Sequence, residues 1–178
     1  MLSALAHLCA SAMIVVMGQS LAAGGAAAPV LTTVVDECGS LTTYNLDFGS
    51  GFVVSPHASA FPFSGAVEFN SRESPRAGIA GMYCQRTGSR AFMAVGAAGG
   101  AVYTSIKKGT TQPWLHMSAM VEAASARLRE KCVASVLIHG ESDHGAGTTR
   151  STYKANIFEL QTDLAAKCRD VGAINYDT

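Results

Sequence analysis

Met13-Ile14-Val15-Val16-Met17 is an apolar, β-branched run that stops at Gly18-Gln19-Ser20. A short run of this kind closed by a glycine reads as a strand buried inside a parallel sheet, and open α/β folds hold their ligands at the carboxyl ends of such strands. Ser20 therefore stands where a nucleophile would stand. Two readings of it are open: a hydroxyl that attacks a bound acyl group, or a serine that caps the helix or turn that follows.

The same segment carries a second ambiguity. Met1 to Ala28 is apolar and rich in small residues, and it ends in Ala-Ala-Gly-Gly-Ala-Ala-Ala, followed by Pro29, much as a secretory signal ends at its cleavage site. Cleavage there would remove Ser20 and place the protein outside the cell; retention favours a cytoplasmic protein. Against a signal, no Lys or Arg precedes Arg72, whereas a signal carries a basic start. His7, Gln19 and the glycines interrupt the run, which also argues against a membrane span.

At 178 residues the chain suits a single domain with its own core. Its 13 basic and 13 acidic residues cancel, and the Lys/Arg residues cluster no further than the pair Lys107-Lys108, so nothing suggests nucleic acid as a partner. The expected partner is a small or neutral molecule. Cys9, Cys38, Cys84, Cys132 and Cys168 are widely spaced, without a Cys-x-x-Cys pair, and are expected to be mostly buried thiols, with room for one disulfide. No Gly-x-x-x-x-Gly-Lys-Ser/Thr loop or His-Glu-x-x-His helix is present, so the expectation is a protein without cofactor or metal.

Along the chain, residues 1–10 read as a short helical lead-in, and Ala22 to Phe69 as a long irregular stretch. Within it, Leu31 to Asp47 and Phe48 to Phe69 are expected to fold over the edge that holds Ser20. Glu73-Ser74-Pro75 looks like a helix entry, with the helix running to about Arg86. Arg90 to Gly96 is a second strand, opening onto Ala97-Ala98-Gly99-Gly100. Met117, Met120, Val121, Ala124 and Leu128 follow a helical period. Cys132 to His139 is a third strand, ending in Gly140-Glu141-Ser142-Asp143. Tyr153, Ile157, Leu160, Leu164 and Cys168 mark another helix face, and Ala173 to Tyr176 starts a further strand. This alternation predicts an α/β fold with a parallel sheet, helices on both faces and an unfinished last edge.

Three strands thus deliver Ser20, Gly99-Gly100 and His139 to Asp143 to one edge. Acyl transfer needs a nucleophile and N–H donors aimed at the developing oxyanion, and these segments supply them. With the blocks Gly18-Gln19-Ser20, Gly99-Gly100 with Lys108-Gly109-Thr110, and Gly140-Glu141-Ser142-Asp143 in that order, the chain resembles the SGNH-type hydrolases, in the branch of sialate O-acetylesterases and carbohydrate acetylesterases. Glu73-Ser74-Pro75 also looks like a segment preceding the second block, so the likeness spans most of residues 13–170. It implies a three-layer, flavodoxin-like fold, Ser20 as the nucleophile, Gly99 and Gly100 in the oxyanion hole, and an active-site role for His139, Gly140 and Glu141.

Two departures from the family stand out. His139 occupies the place where a glutamine is commoner; as a neutral ring it can still donate one hydrogen bond to an oxyanion, or it is a structural histidine satisfied by a neighbour. Glu141 and Asp143 are expected to brace loops rather than transfer protons. More seriously, the family's Asp-x-x-His is missing, since no Asp here has a His three residues later. A serine without a base is a poor nucleophile. Substitutes would be His144, His57, His116 or His139, with His144 the nearest to the site; the alternative is a truncated copy lacking the element that carries the dyad. The expectations are therefore an esterase that removes O-acetyl groups, on carbohydrate or another small ester, through an acyl-serine, or an inactive carbohydrate-binding or structural module of the same fold. A small secreted protein that has lost Ser20 is a third. The oligomeric state is left open.

Overall fold

The computed structural model describes residues 12–23, 38, 41–43, 63–65, 75–128 and 131–172. Strand β1 (Ala12–Gly18) is followed by a single helical turn, α1 (Ser20–Ala23). Two short strands come next, β2 (Leu41–Thr43) and β3 (Phe63–Gly65), and then α2 (Pro75–Thr87) and β4 (Ala91–Ala97). The turn α3 (Tyr103–Ile106), helix α4 (Gln112–Leu128), strand β5 (Lys131–Ile138), the turn α5 (Glu141–Gly145) and the long helix α6 (Arg150–Gly172) complete the order.

The sheet runs β3-β2-β4-β1-β5. Its three long strands are parallel, with β1 in the middle, hydrogen-bonded to β4 on one side and to β5 on the other. Every residue of β1 and β4 is buried, as an apolar strand covered on both faces must be. Met13, Val15, Val16 and Met17 have no exposed surface, and burying each such side chain contributes about 1.5–3 kcal/mol. A chain from which β1 had been cleaved would lack the centre of its own sheet. The strand reading of the N-terminal run therefore holds, and with it the place of Ser20.

From β1 the chain passes to β2 and β3, returns through α2 to β4, and then crosses past β1 to β5. Helix α2 packs on β4 and against α1. Helix α4 packs on β4 and β1, with Met117, Met120, Val121 and Ala124 of the expected face buried together with Trp114. Helix α6 lies against β5 and α4, with Leu160, Leu164 and Val171 inside, and Ser125 Oγ donates to the Val171 carbonyl at 3.1 Å. Gly96 admits α4 to the sheet, because a Cβ there would fall 2.7 Å from Met117 Cβ. Strand β5, at the end of the sheet, leaves Lys131, Val133, Ala134 and Ser135 exposed, and an irregularity opposite Met13 and Ile14 lets Val133 bulge out of register.

Three expectations need correction. The sheet is mixed: β2 runs parallel to β4, but β3 is antiparallel to β2. These two strands lie inside the stretch read as irregular, since three residues are too few to show an alternation and their place is set by backbone pairing. They extend the sheet beyond β4, while most of Leu31 to Asp47 and Phe48 to Phe69, expected to fold over the edge that holds Ser20, lies outside the described residues. Finally, four cysteines are paired, Cys38 with Cys84 and Cys132 with Cys168, the second bridge tying β5 to α6. Their Cα atoms lie 5.9 and 5.2 Å apart, within bridging range. Long-range approach of this sort cannot be read from spacing in the chain. The lead-in at residues 1–10, Cys9, and the strand expected at Ala173 to Tyr176 lie outside the described residues. Among the described residues, no helix is long and apolar enough to cross a membrane.

Candidate functional site

Gly18 is paired with Ala97 on one side and Ile138 on the other, so β4, β1 and β5 end at one level. The ladder continues one step further, with Ala98 N–H donating to the Gly18 carbonyl at 3.2 Å and Gln19 N–H to the Ile138 carbonyl at 3.1 Å. Ser20, Gly99 and Gly140 each stand two residues past the end of their strand. Neighbouring strands are about 4.8 Å apart, so the three strand ends fall within roughly 10 Å. The connection from β1 leaves towards β2 and the one from β4 returns past β1 to β5, so the direction of crossing reverses at β1, the kind of switch point where open α/β folds bind ligands.

Local geometry explains the glycines. A Cβ on Gly18 would run into the Ile138 carbonyl and sit 2.8 Å from Ala22 Cβ, so this position must be bare for β1 to turn into α1. Gly100 has φ +68°, with no atom within 4 Å of where a Cβ would be, and both Gly99 and Gly100 are exposed. Ser20 opens α1 and is half-buried.

The third tip is fastened to both others. Gln19, only 3% exposed, accepts the N–H groups of Gly140 and Ser142 on Oε1, each at 3.3 Å. The Asp143 carboxylate, equally buried, accepts the Tyr103 N–H on Oδ2 at 2.8 Å and the Thr148 hydroxyl on Oδ1 at 3.3 Å. This is the loop-bracing role expected of Asp143. Since Tyr103 follows Gly99-Gly100 closely, the bond ties the glycine loop to the end of β5.

His139 belongs to the same brace. Its side chain has no exposed surface; Nε2 lies 3.1 Å from the Ala101 carbonyl and 3.4 Å from Asp143 Oδ2. A carbonyl only accepts, so Nε2 carries the hydrogen and spends it on the glycine loop. On the other side Nδ1 is 3.4 Å from Tyr153 Oη, the two rings stack with centroids 5.9 Å apart, and the Tyr153 hydroxyl donates to the His139 carbonyl at 2.8 Å. An enclosed ring with its donor committed cannot also serve an oxyanion. The oxyanion role expected of His139 gives way to the structural one.

Glu141 and His144 are exposed on α5, and Gly140 is half-buried, with a Cβ position 3.1 Å from Tyr153 Oη. His116, the other described histidine besides His139 and His144, is buried in α4, and that burial lowers its pKa. His57 lies outside the described residues. Burial raises the Tyr153 pKa, and the charges of Asp143 and Glu141 add to the shift. Tyr103 is raised further, by burial first and then by Glu159 and Asp163 of α6; its hydroxyl has no partner within hydrogen-bond geometry, so Glu159 acts on it through charge. Lys108, from the second block, pairs with Asp163 at 3.1 Å on the surface. Among the described residues no group of three or more His, Cys, Asp or Glu side chains is placed to hold a metal.

Sequence reasoning overlooked the part played by Gln19, Tyr103 and Tyr153. Tyr153 read as one more apolar position on a helix face, and the partners of Gln19 are backbone amides, which leave no mark in a sequence. Gln19 was visible only as a member of the first block.

No protein-family model matches the chain, and no curated protein matches it in sequence. In structure it is similar to a protein from Arabidopsis thaliana solved by X-ray crystallography, with a TM-score of 0.64 and 14% identity over 90% of this chain and 69% of that one. Likeness at that identity bears on the architecture alone, an α/β fold whose parallel three-strand centre is consistent with a flavodoxin-like layout.

Proposed function

We propose that this fold supports a serine esterase of the SGNH type, hydrolysing O-acetyl esters, on carbohydrate or a comparable small substrate, through an acyl-Ser20 intermediate. The observation that supports the reading is the common level at which the adjacent parallel strands β4, β1 and β5 end, two residues before Gly99, Ser20 and Gly140. In this scheme the Ser20 hydroxyl attacks the ester carbonyl, and N–H groups from Ser20 and the Gly99-Gly100 loop receive the oxyanion. The tetrahedral adduct collapses with loss of the sugar alcohol, and water then releases acetate from Ser20. Exposed glycines and a small first turn suit a short acyl group. Two disulfides fit a protein that matures in an oxidising compartment.

A second reading, a carbohydrate-binding or structural module without turnover, is favoured by the commitment of His139, which leaves no described histidine hydrogen-bonded to Ser20. Replacing Ser20 by Ala separates the two. The esterase reading expects hydrolysis of p-nitrophenyl acetate to fall by a factor on the order of 10³ or more, as loss of a nucleophile does. Equal rates for parent and variant refute it.

A further inference from the structure

We propose that Gln19 is a positioning residue for the chemistry at Ser20, an inference that rests on the esterase reading. Its main chain and its side chain both reach across the switch point to the end of β5. The backbone N–H donates to the Ile138 carbonyl at 3.1 Å, while Oε1 accepts the Gly140 and Ser142 amides at 3.3 Å each. Residues 121 and 123 places away in the chain are thereby held by the residue next to the nucleophile.

The physical argument is one of accounting. Gly140 and Ser142 begin α5, where amides lack partners in the helix itself. They point at a buried oxygen, and without it two donors would stand unsatisfied beside the site. The same α5 carries Asp143, which fixes Tyr103 and with it the loop of Gly99 and Gly100. Gln19 is therefore the joint through which the nucleophile turn, the third tip and the glycine loop keep one geometry. Displacement of reacting groups by about 1 Å can cost 10²-fold in rate. The side chain touches no reacting atom; it sets where Ser20 stands relative to the amides that would face it.

The test compares Gln19→Met, which keeps the shape and removes the acceptor, with Gln19→Glu, which keeps an oxygen for both amides. Backbone exchange of Gly140 and Ser142, followed by NMR on the full chain, should speed up by at least tenfold in Q19M and stay slow in Q19E. In p-nitrophenyl acetate hydrolysis, kcat should fall by about 10²-fold in Q19M with KM little changed, and Q19E should recover most of the loss. Unchanged exchange in Q19M would overturn the clamp itself. Faster exchange with unchanged kcat would leave a structural bond and overturn the positioning role. Should Ser20→Ala and the parent hydrolyse the ester equally, the esterase reading fails, and the positioning role falls with it even where exchange shows the clamp.

Discussion

Asp143 is the residue whose removal should be felt most widely. It is 3% exposed and accepts the Tyr103 amide at 2.8 Å and the Thr148 hydroxyl at 3.3 Å, with His139 Nε2 at 3.4 Å. In Asp143→Ala the Tyr103 amide is left buried without an acceptor, which costs about 1–3 kcal/mol. The Thr148 hydroxyl and the His139 Nε2–H beside it lose the same acceptor, and hydrogen bonds to a carboxylate contribute about 1.5–3 kcal/mol, which brings the total to about 3–5 kcal/mol. With a urea dependence of about 2 kcal/mol per molar, the midpoint of unfolding should drop by roughly 1.5–2.5 M. Asp143→Asn keeps one oxygen for the Tyr103 amide and should lose less than half as much. Equilibrium urea unfolding followed by circular dichroism measures both. A loss below about 1 kcal/mol in the Ala variant would refute the argument, because a buried amide with no partner cannot be that cheap.

Other perturbations test separate parts of the account. Burial lowers the His116 pKa, so the folded chain keeps the ring neutral where the unfolded chain, titrating near 6.5, takes up a proton. Stability should therefore fall as pH drops from 6.5 to the lowered folded value and level off below it. His116→Gln should flatten that slope in thermal unfolding, and an unaltered slope would show that His116 is not its source. Cys132→Ser opens a bridge between residues 36 apart and should cost about 4 kcal/mol by loop entropy, read as a urea midpoint shift; a loss under about 1 kcal/mol would deny the bridge its role. Gly96→Ala would press on Met117 and should cost at least about 1–3 kcal/mol through overpacking, whereas Gly100→Ala enters open space and should cost only the left-handed penalty of about 1–2 kcal/mol. Thermal melts of the two variants would contradict the packing if Gly100 proved the more sensitive.

What the sequence made legible follows from where the information sits. The strands β1, β4 and β5 announce themselves as apolar runs ending in glycine, and α4 and α6 through buried positions three and four residues apart. Pro75 marks the start of α2 where the structure has it. Strands β2 and β3 were hidden because each is three residues long and owes its place to a neighbour, β2 to β4 and β3 to β2, rather than to its own pattern. The pairing of Cys38 with Cys84 depends on α2 meeting a distant segment, which spacing does not encode. At the site the tips could be named, but not the bonds between them. Asp143 binds an amide 40 residues away and Gln19 one 121 away, and an amide looks the same in every residue but proline.

That difference between tips and bonds bears on the proton that Ser20 would have to release. For His139 to act as its base, Nε2 would need to leave the Ala101 carbonyl and the neighbourhood of Asp143. Alternatively Nδ1 would need to turn away from Tyr153, with which the ring stacks. Either movement undoes the brace that keeps the Gly99-Gly100 loop level with Ser20, so the duties of base and brace exclude each other in this residue. His116 is enclosed within α4, while His144 is exposed on α5, just past the Ser142 amide that Gln19 holds. Of the described histidines, His144 is the one that could serve the proposed esterase as base without undoing the brace. Its contribution would show as a loss of hydrolysis in His144→Ala with the brace, and the slow exchange of Gly140, left intact.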